Sequence, residues 1–237
     1  MDIDFDKSTL ITGGMDHCLR VYDLNEMKEK DVYHGEDKDH TEHFNRIFSV
    51  KIDSINRNIF YSCGWDKMVI THDIREKYSV SSFMGPYVAG DTLDAQGNYL
   101  LAGSYRSHDP LEIYDTRTGE RVKSYEWTGA EENKGGMVLS CEYSRPNYDT
   151  IIAGSSSDHE VKLFNRKDGA IYSTITGFSG PIAALNMDCK GNKLAIGTST
   201  GGVALLNFGI TPEEKLEESQ EKTPLAESEV KTGESSQ

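Results

Sequence analysis

The sequence predicts an all-β fold built from about five copies of one four-stranded unit, and three observations carry that prediction. One pattern recurs: an apolar or small-residue strand, a tight polar turn, a second strand, then a closing position, aromatic in most copies, followed by Asp or Asn. Its copies end at regular intervals. No window of a dozen residues in the first 210 shows a 3.6-residue apolar period, whereas short apolar runs bounded by turn residues fill the same stretch.

The copies read LITGGMDHCLRVYD (Leu10 to Asp23), IFYSCGWDKMVITHD (Ile59 to Asp73), LLAGSYRSHDPLEIYD (Leu100 to Asp115), IIAGSSSDHEVKLFN (Ile151 to Asn165) and LAIGTSTGGVALLN (Leu194 to Asn207). Their closing residues lie 50, 42, 50 and 42 positions apart. That is the spacing of a four-stranded propeller blade, about 40–45 residues, with insertions in every second repeat. Upstream segments starting at Ile47, Tyr87, Val138 and Ile182 supply a first strand to blades two to five. Downstream segments such as SVSSF, ERVKSYEW and AIYSTITGF supply an outer one. Gly97, Gly119, Gly169 and Gly191 fall in the polar turns, where glycine tolerates positive φ. The expected blade cores are near 3–33, 46–83, 87–127, 137–178 and 181–208, within a propeller domain spanning 1–210.

These repeats resemble the WD-repeat β-propeller family from Ile3 to Phe208, in number and spacing more than in wording. No copy closes on Trp-Asp; the aromatic position holds Tyr22, His72, Tyr114, Phe164 and Leu206. The Gly-His that opens a blade in this family is worn to Glu42-His43 and Gly177-Phe178. The resemblance implies a structural network in which an Asp between the second and third strands bonds to that His, extended by a Ser or Thr and the third-strand aromatic. Blade two keeps His43, Ser62, Asp66 and His72, while Asp16 and Asp158 hold the matching position in blades one and four. A hydrogen-bonded buried network of this kind fixes geometry, so the Ser/His/Asp set reads as structural rather than as a catalytic triad. Gly197-Thr198-Ser199-Thr200-Gly201 matches a nucleophile elbow in letters, but a strand follows it where the elbow needs a helix. No catalytic residue and no cofactor are expected.

The net charge of −14, from 25 Lys+Arg and 39 Asp+Glu in 237 residues, argues against a phosphate-backbone binder and makes any charged partner more naturally basic. Residues 211–237 hold eight acids, three bases and no aromatic, an expected acidic disordered tail that leaves −9 on residues 1–210. No apolar run approaches the roughly 20 residues of a membrane span. The start MDIDFDKSTL has neither a basic n-region nor an apolar h-region, so no secretory leader is expected, and Cys18, Cys63, Cys141 and Cys189 form no Cys-x-x-Cys pair. A cytoplasmic location is expected, the nucleus remaining open. His34, His40 and His43 lie among acids, but their spacing matches no tight ligand pattern, so no metal is expected.

Function is expected in the irregularities, since elaborated loops on a rigid scaffold are where binding sits. The long loops lie around Gly35 to Asn45 and Gly129 to Gly136, and Tyr105 to Pro110 enlarges a turn in blade three; all should emerge on one face. That face would show Arg46, Trp65, Lys67, Tyr105 and Arg106, expected to contact a partner because Trp, Tyr and Arg are the residue types that most often dominate interface energetics. The alternative is that Trp65 covers a neighbouring blade and Arg106 pairs with Asp109. Asp91 stands where other repeats have an apolar residue, facing either its blade or the central channel. The expected function is a non-catalytic scaffold for protein or peptide partners; a small-molecule or hydrolytic site in the channel is the alternative. Ile3 and Phe5 are expected as the inward pair of the first strand. The fifth blade shows no fourth strand, so the ring is expected to be incomplete, prone to self-association or lacking amino-terminal blades, with a closed five-bladed ring as the other possibility.

Overall fold

The computed structural model of the protein describes residues 1–34, 41–127 and 136–208, and every regular element within them is a β-strand. Blade 1 comprises β1 (Asp2–Ile3), β2 (Thr9–Gly13), β3 (Leu19–Asp23) and β4 (Lys28–Tyr33). Blade 2 comprises β5 (Ile47–Ile52), β6 (Ile59–Gly64), β7 (Met68–Asp73) and β8 (Ser79–Met84). Blade 3 follows with β9 (Leu93–Gln96), β10 (Tyr99–Gly103), β11 (Leu111–Asp115) and β12 (Arg121–Tyr125), and blade 4 with β13 (Val138–Tyr143), β14 (Thr150–Ser155), β15 (Val161–Asn165) and β16 (Ile171–Ile175). Blade 5 has three strands, β17 (Ile182–Met187), β18 (Lys193–Thr198) and β19 (Val203–Asn207). Each sheet is an antiparallel meander in chain order, and the innermost strands pack side by side, β1 on β5, β5 on β9, β9 on β13 and β13 on β17. The chain is a β-propeller of five blades.

The two-residue period of a strand explains how the blades stack, because neighbouring residues point to opposite faces. On β6, Phe60 packs toward blade 1 and Tyr61 toward blade 3. On β10, Leu100 faces blade 2 and Leu101 faces blade 4. On β14, Ile151 and Ile152 divide in the same way between blades 3 and 5. Four apolar seams result, one per junction, and each large side chain fully buried there stabilises the fold by about 1.5–3 kcal/mol. Among the described residues no such seam joins blade 5 to blade 1. Val203 (83% exposed) and Leu205 (62%) lie on the outward face of blade 5, and Ile3 (46%) is exposed on blade 1.

The closing Asp or Asn of each of the first four repeats has a local purpose. Asp23, Asp73, Asp115 and Asn165 each accept the backbone N–H two residues on, at 2.8, 3.0, 2.9 and 2.8 Å. These Asx turns reverse the chain into the outer strand. In blades 3 and 4 the turn ends on Gly119 (φ 71°) and Gly169 (φ 84°), whereas blade 1 places Met27 there at φ 53°.

Two expectations about strands are corrected. Ile3 and Phe5 are not an inward pair: β1 stops at Ile3, and the Asp4 carboxylate accepts the Ser8 and Thr9 N–H groups at 2.7 and 2.9 Å. The resulting turn throws Phe5 outward, 98% exposed. The innermost strand of blade 3 starts at Leu93 rather than Tyr87, because Gly90 approaches the Leu139 carbonyl too closely for any Cβ and Asp91 makes only an isolated parallel bridge to Ser140. His40, most of the two long loops and the acidic segment 211–237 lie outside the described residues. No helix of the described residues is long and apolar enough to cross a membrane.

Candidate functional site

Blade 2 holds a linear buried polar chain beneath its loop-bearing edge. His43 Nδ1 lies 2.6 Å from Asp66 Oδ2, His43 Nε2 2.8 Å from the Ser62 hydroxyl, and that hydroxyl 3.1 Å from His72 Nε2. All four residues are buried. His72 stacks on Phe60 at 4.7 Å and meets Tyr33 edge-on at 5.0 Å, filling the place of a larger aromatic. Burial pushes its pKa down to about 3, so it stays neutral. Asp66 also accepts the Phe44 and Met68 N–H groups. Replacing Asp66 with Ala is therefore expected to lower unfolding stability by about 2 kcal/mol, measured by urea titration, because buried donors lose their acceptor; an unchanged midpoint would contradict this role. Asp16 and Asp158 have other partners: Asp16 pairs with Arg20 at 2.6 Å, and Asp158 accepts the Trp127 indole N–H at 3.1 Å.

The polar chain fixes the turn that presents the loop face. Gly64 packs against the Arg46 carbonyl so closely that any Cβ would collide with it, and the Trp65 N–H donates to that carbonyl at 3.2 Å. Lys67, at φ 61°, occupies the left-handed position of the tight turn, as His17 and His159 do in blades 1 and 4. The Arg46 guanidinium lies 4.5 Å from the Trp65 ring, Trp65 stacks nearly parallel to Tyr87 at 6.1 Å, and the Lys67 ammonium lies 5.9 Å from Tyr87. Phe48 leans on Trp65 from below at 5.3 Å. The Tyr105 N–H donates to the Tyr87 carbonyl at 2.7 Å, which brings the enlarged blade-3 turn to the same place.

Four of the five sequence-predicted residues, Arg46, Trp65, Lys67 and Tyr105, thus gather around Tyr87, which sequence reasoning missed. Its signal was position alone, just ahead of blade 3 and opposite the turn of blade 2. Trp65 does lean across the junction toward blade 3. Arg106 is drawn into its own loop: it donates to the His108 and Asp109 carbonyls and pairs with Glu112 at 2.5 Å. Glu112, fully buried, also takes Arg121 at 2.7 Å and the Tyr114 hydroxyl at 2.9 Å.

At the opposite end of β5, the innermost strands carry a second cluster beside a cleft of about 720 Å³. Asp2, Lys51, Asp94, Glu142 and Asn186 hold the same register position on the five innermost strands. Asp2 Oδ2 accepts the Ile52 N–H at 2.9 Å and Asp94 Oδ2 accepts the Tyr143 N–H at 2.9 Å, so an acid on one blade holds the backbone of the next. Lys51 Nζ is 3.2 Å from Asp94, and Arg145 reaches both Asp94 oxygens at 3.0 and 3.1 Å. Glu142 is the exception: its Oε1 is buried without a partner, and burial together with the nearby Asp94 charge raises its pKa to about 7. Asp91, exposed, accepts the Ser49 hydroxyl at 2.8 Å across the blade junction. Among the described residues no group of three or more His, Cys, Asp or Glu side chains is placed to hold a metal ion. The chain matches no known family model and no curated protein sequence.

Proposed function

We propose that the chain is a WD-repeat-type scaffold that binds a protein or peptide partner through the loop face of blades 2 and 3, without catalysis. The observation that carries this reading is the cation–aromatic cluster of Arg46, Trp65, Tyr87 and Lys67, held by turn geometry and bordered by Phe44 (70% exposed) and Tyr105 (38%). Rigid aromatic rings with cations over their faces are the chemistry of interface anchors. The competing reading, a ligand in the channel, draws on the cleft beside the second cluster. There the charges of Lys51, Asp94 and Arg145 are engaged with one another and with backbone groups, which favours an inter-blade clasp.

The test places a photo-crosslinking benzoylphenylalanine at Tyr105 and, as control, at Tyr172, which is 60% exposed on β16. A discrete adduct from position 105, absent from position 172 and lost in the Lys67→Glu background, is the expected result. Equal labelling from both positions, or none from 105, would count against the loop face as the binding surface.

A further inference from the structure

Within the loop face, the cluster around Trp65 carries two cations, Arg46 and Lys67, in a chain that is acidic as a whole. Arg20, Arg57, Arg75, Arg106, Arg117, Arg121 and Arg145 each sit within ion-pair distance of a carboxylate. Arg166 lacks one, but its guanidinium donates to Gln96 and to the Tyr148 carbonyl. Arg46 differs from all of these. Among the described residues its guanidinium has neither a carboxylate nor a hydrogen-bond acceptor, only the faces of Trp65 and Phe48. Lys67, exposed on the same cluster, likewise has only the Tyr87 ring. Trp65 Nε1 is a third donor without an acceptor, and it is buried.

In a chain with 39 acids and 25 bases, two cations without carboxylate partners here flank an indole whose N–H has no acceptor. A guanidinium offers five N–H donors and no acceptor, and an ammonium three. We infer that the partner segment received by the Arg46–Trp65–Lys67 cluster is acidic, presenting Asp or Glu carboxylates to the two cations. This deepens the proposed binding function and rests on it. The net charge points toward a basic partner, but at physiological ionic strength charges are screened over about 8 Å. The groups at the contact then decide which sign is accepted.

The experiment is a fluorescence titration of the full chain with hexaglutamate, with hexalysine as the control peptide. Trp127, the second tryptophan, is buried and donates to Asp158 and Glu160, so a Trp65→Phe variant identifies the responding ring. Hexaglutamate is expected to give a saturable change that Trp65→Phe abolishes and higher salt weakens. Lys67→Glu and Arg46→Gln, each checked for an unchanged melting temperature, should weaken binding about fivefold to tenfold. Binding of hexalysine as tight as that of hexaglutamate, or indifference to both cation variants, would overturn the inference. Adding hexaglutamate to the crosslinking experiment separates the two proposals. An adduct at position 105 that hexaglutamate does not displace would leave the binding surface standing and remove its acidic partner, whereas absence of any adduct would remove the surface itself.

Discussion

Replacing Asp94 with Ala is expected to cost about 3–5 kcal/mol of unfolding stability, seen as a lower urea midpoint at unchanged slope. The carboxylate is 1% exposed and joins three blades. It lies on β9 of blade 3, takes the Tyr143 N–H of blade 4 at 2.9 Å, and receives Lys51 of blade 2 and Arg145 of blade 4 at 3.2 and 3.0 Å. Removing it leaves a backbone donor unmet and two cations facing each other in a partly buried place. Lys51 would keep only Asp2, at 4.0 Å. Removing one member of a buried charge cluster costs more than the cluster contributes in total, because the remaining charges stay desolvated. Asp94→Asn should lie between wild type and Asp94→Ala, since its amide oxygen can still accept from Tyr143 while the ion pairs are lost. If both variants unfold at the wild-type midpoint, the clasp contributes nothing to blade cohesion.

Much of this architecture was legible in the residues because a propeller writes the same local chemistry several times over. The Asx turn at Asp23, Asp73, Asp115 and Asn165 repeats a residue type at a fixed place, and repetition makes even a worn motif readable. The same holds for the alternation that divides Phe60 from Tyr61 and Leu100 from Leu101. The inter-blade clasp uses one register position too, but fills it with Asp2, Lys51, Asp94, Glu142 and Asn186, changing charge from blade to blade. No residue type recurs there, so no pattern announces it. Only the register, one residue after Val50, Leu93, Cys141 and Leu185 in the last four blades, could have pointed to it. Phe5 was misread, and Arg106 was left between two readings, for a related reason. Whether an apolar residue near a strand end turns inward depends on where the turn begins, here on Asp4, and whether a loop arginine is available depends on a buried acid, here Glu112, several residues away.

Glu142→Gln is expected to stabilise the protein by about 3 kcal/mol at pH 8 relative to its effect at pH 4.5, measured by urea titration across that range. Glu142 is faced by Asp94 from β9, Lys51 from β5, Arg145 beyond the end of its own strand and the Met187 backbone N–H from β17. Burial is the largest influence and Asp94 the next, both raising its pKa from 4.5 to about 7; the cations and the N–H oppose them. With a folded pKa above the unfolded one, the folded state holds a proton that the unfolded state releases. The associated stability is fully present below pH 4.5 and is lost as the pH rises through about 7. A shift of that size corresponds to about 3 kcal/mol, and a glutamine, which cannot ionise, avoids the loss. His72 slopes the other way: with its pKa lowered from 6.5 to about 3, it adds stability as the pH rises through that window. Between about pH 4.5 and 6.5 the two nearly cancel, so the wild-type curve should be almost level there while the Glu142→Gln curve climbs. Asp94→Ala should shrink the difference between Glu142 and Gln, because the second-largest influence on that carboxyl is then gone. Parallel curves for wild type and Glu142→Gln would mean that Glu142 ionises in the folded protein at its ordinary pH, with its Oε1 finding an acceptable partner.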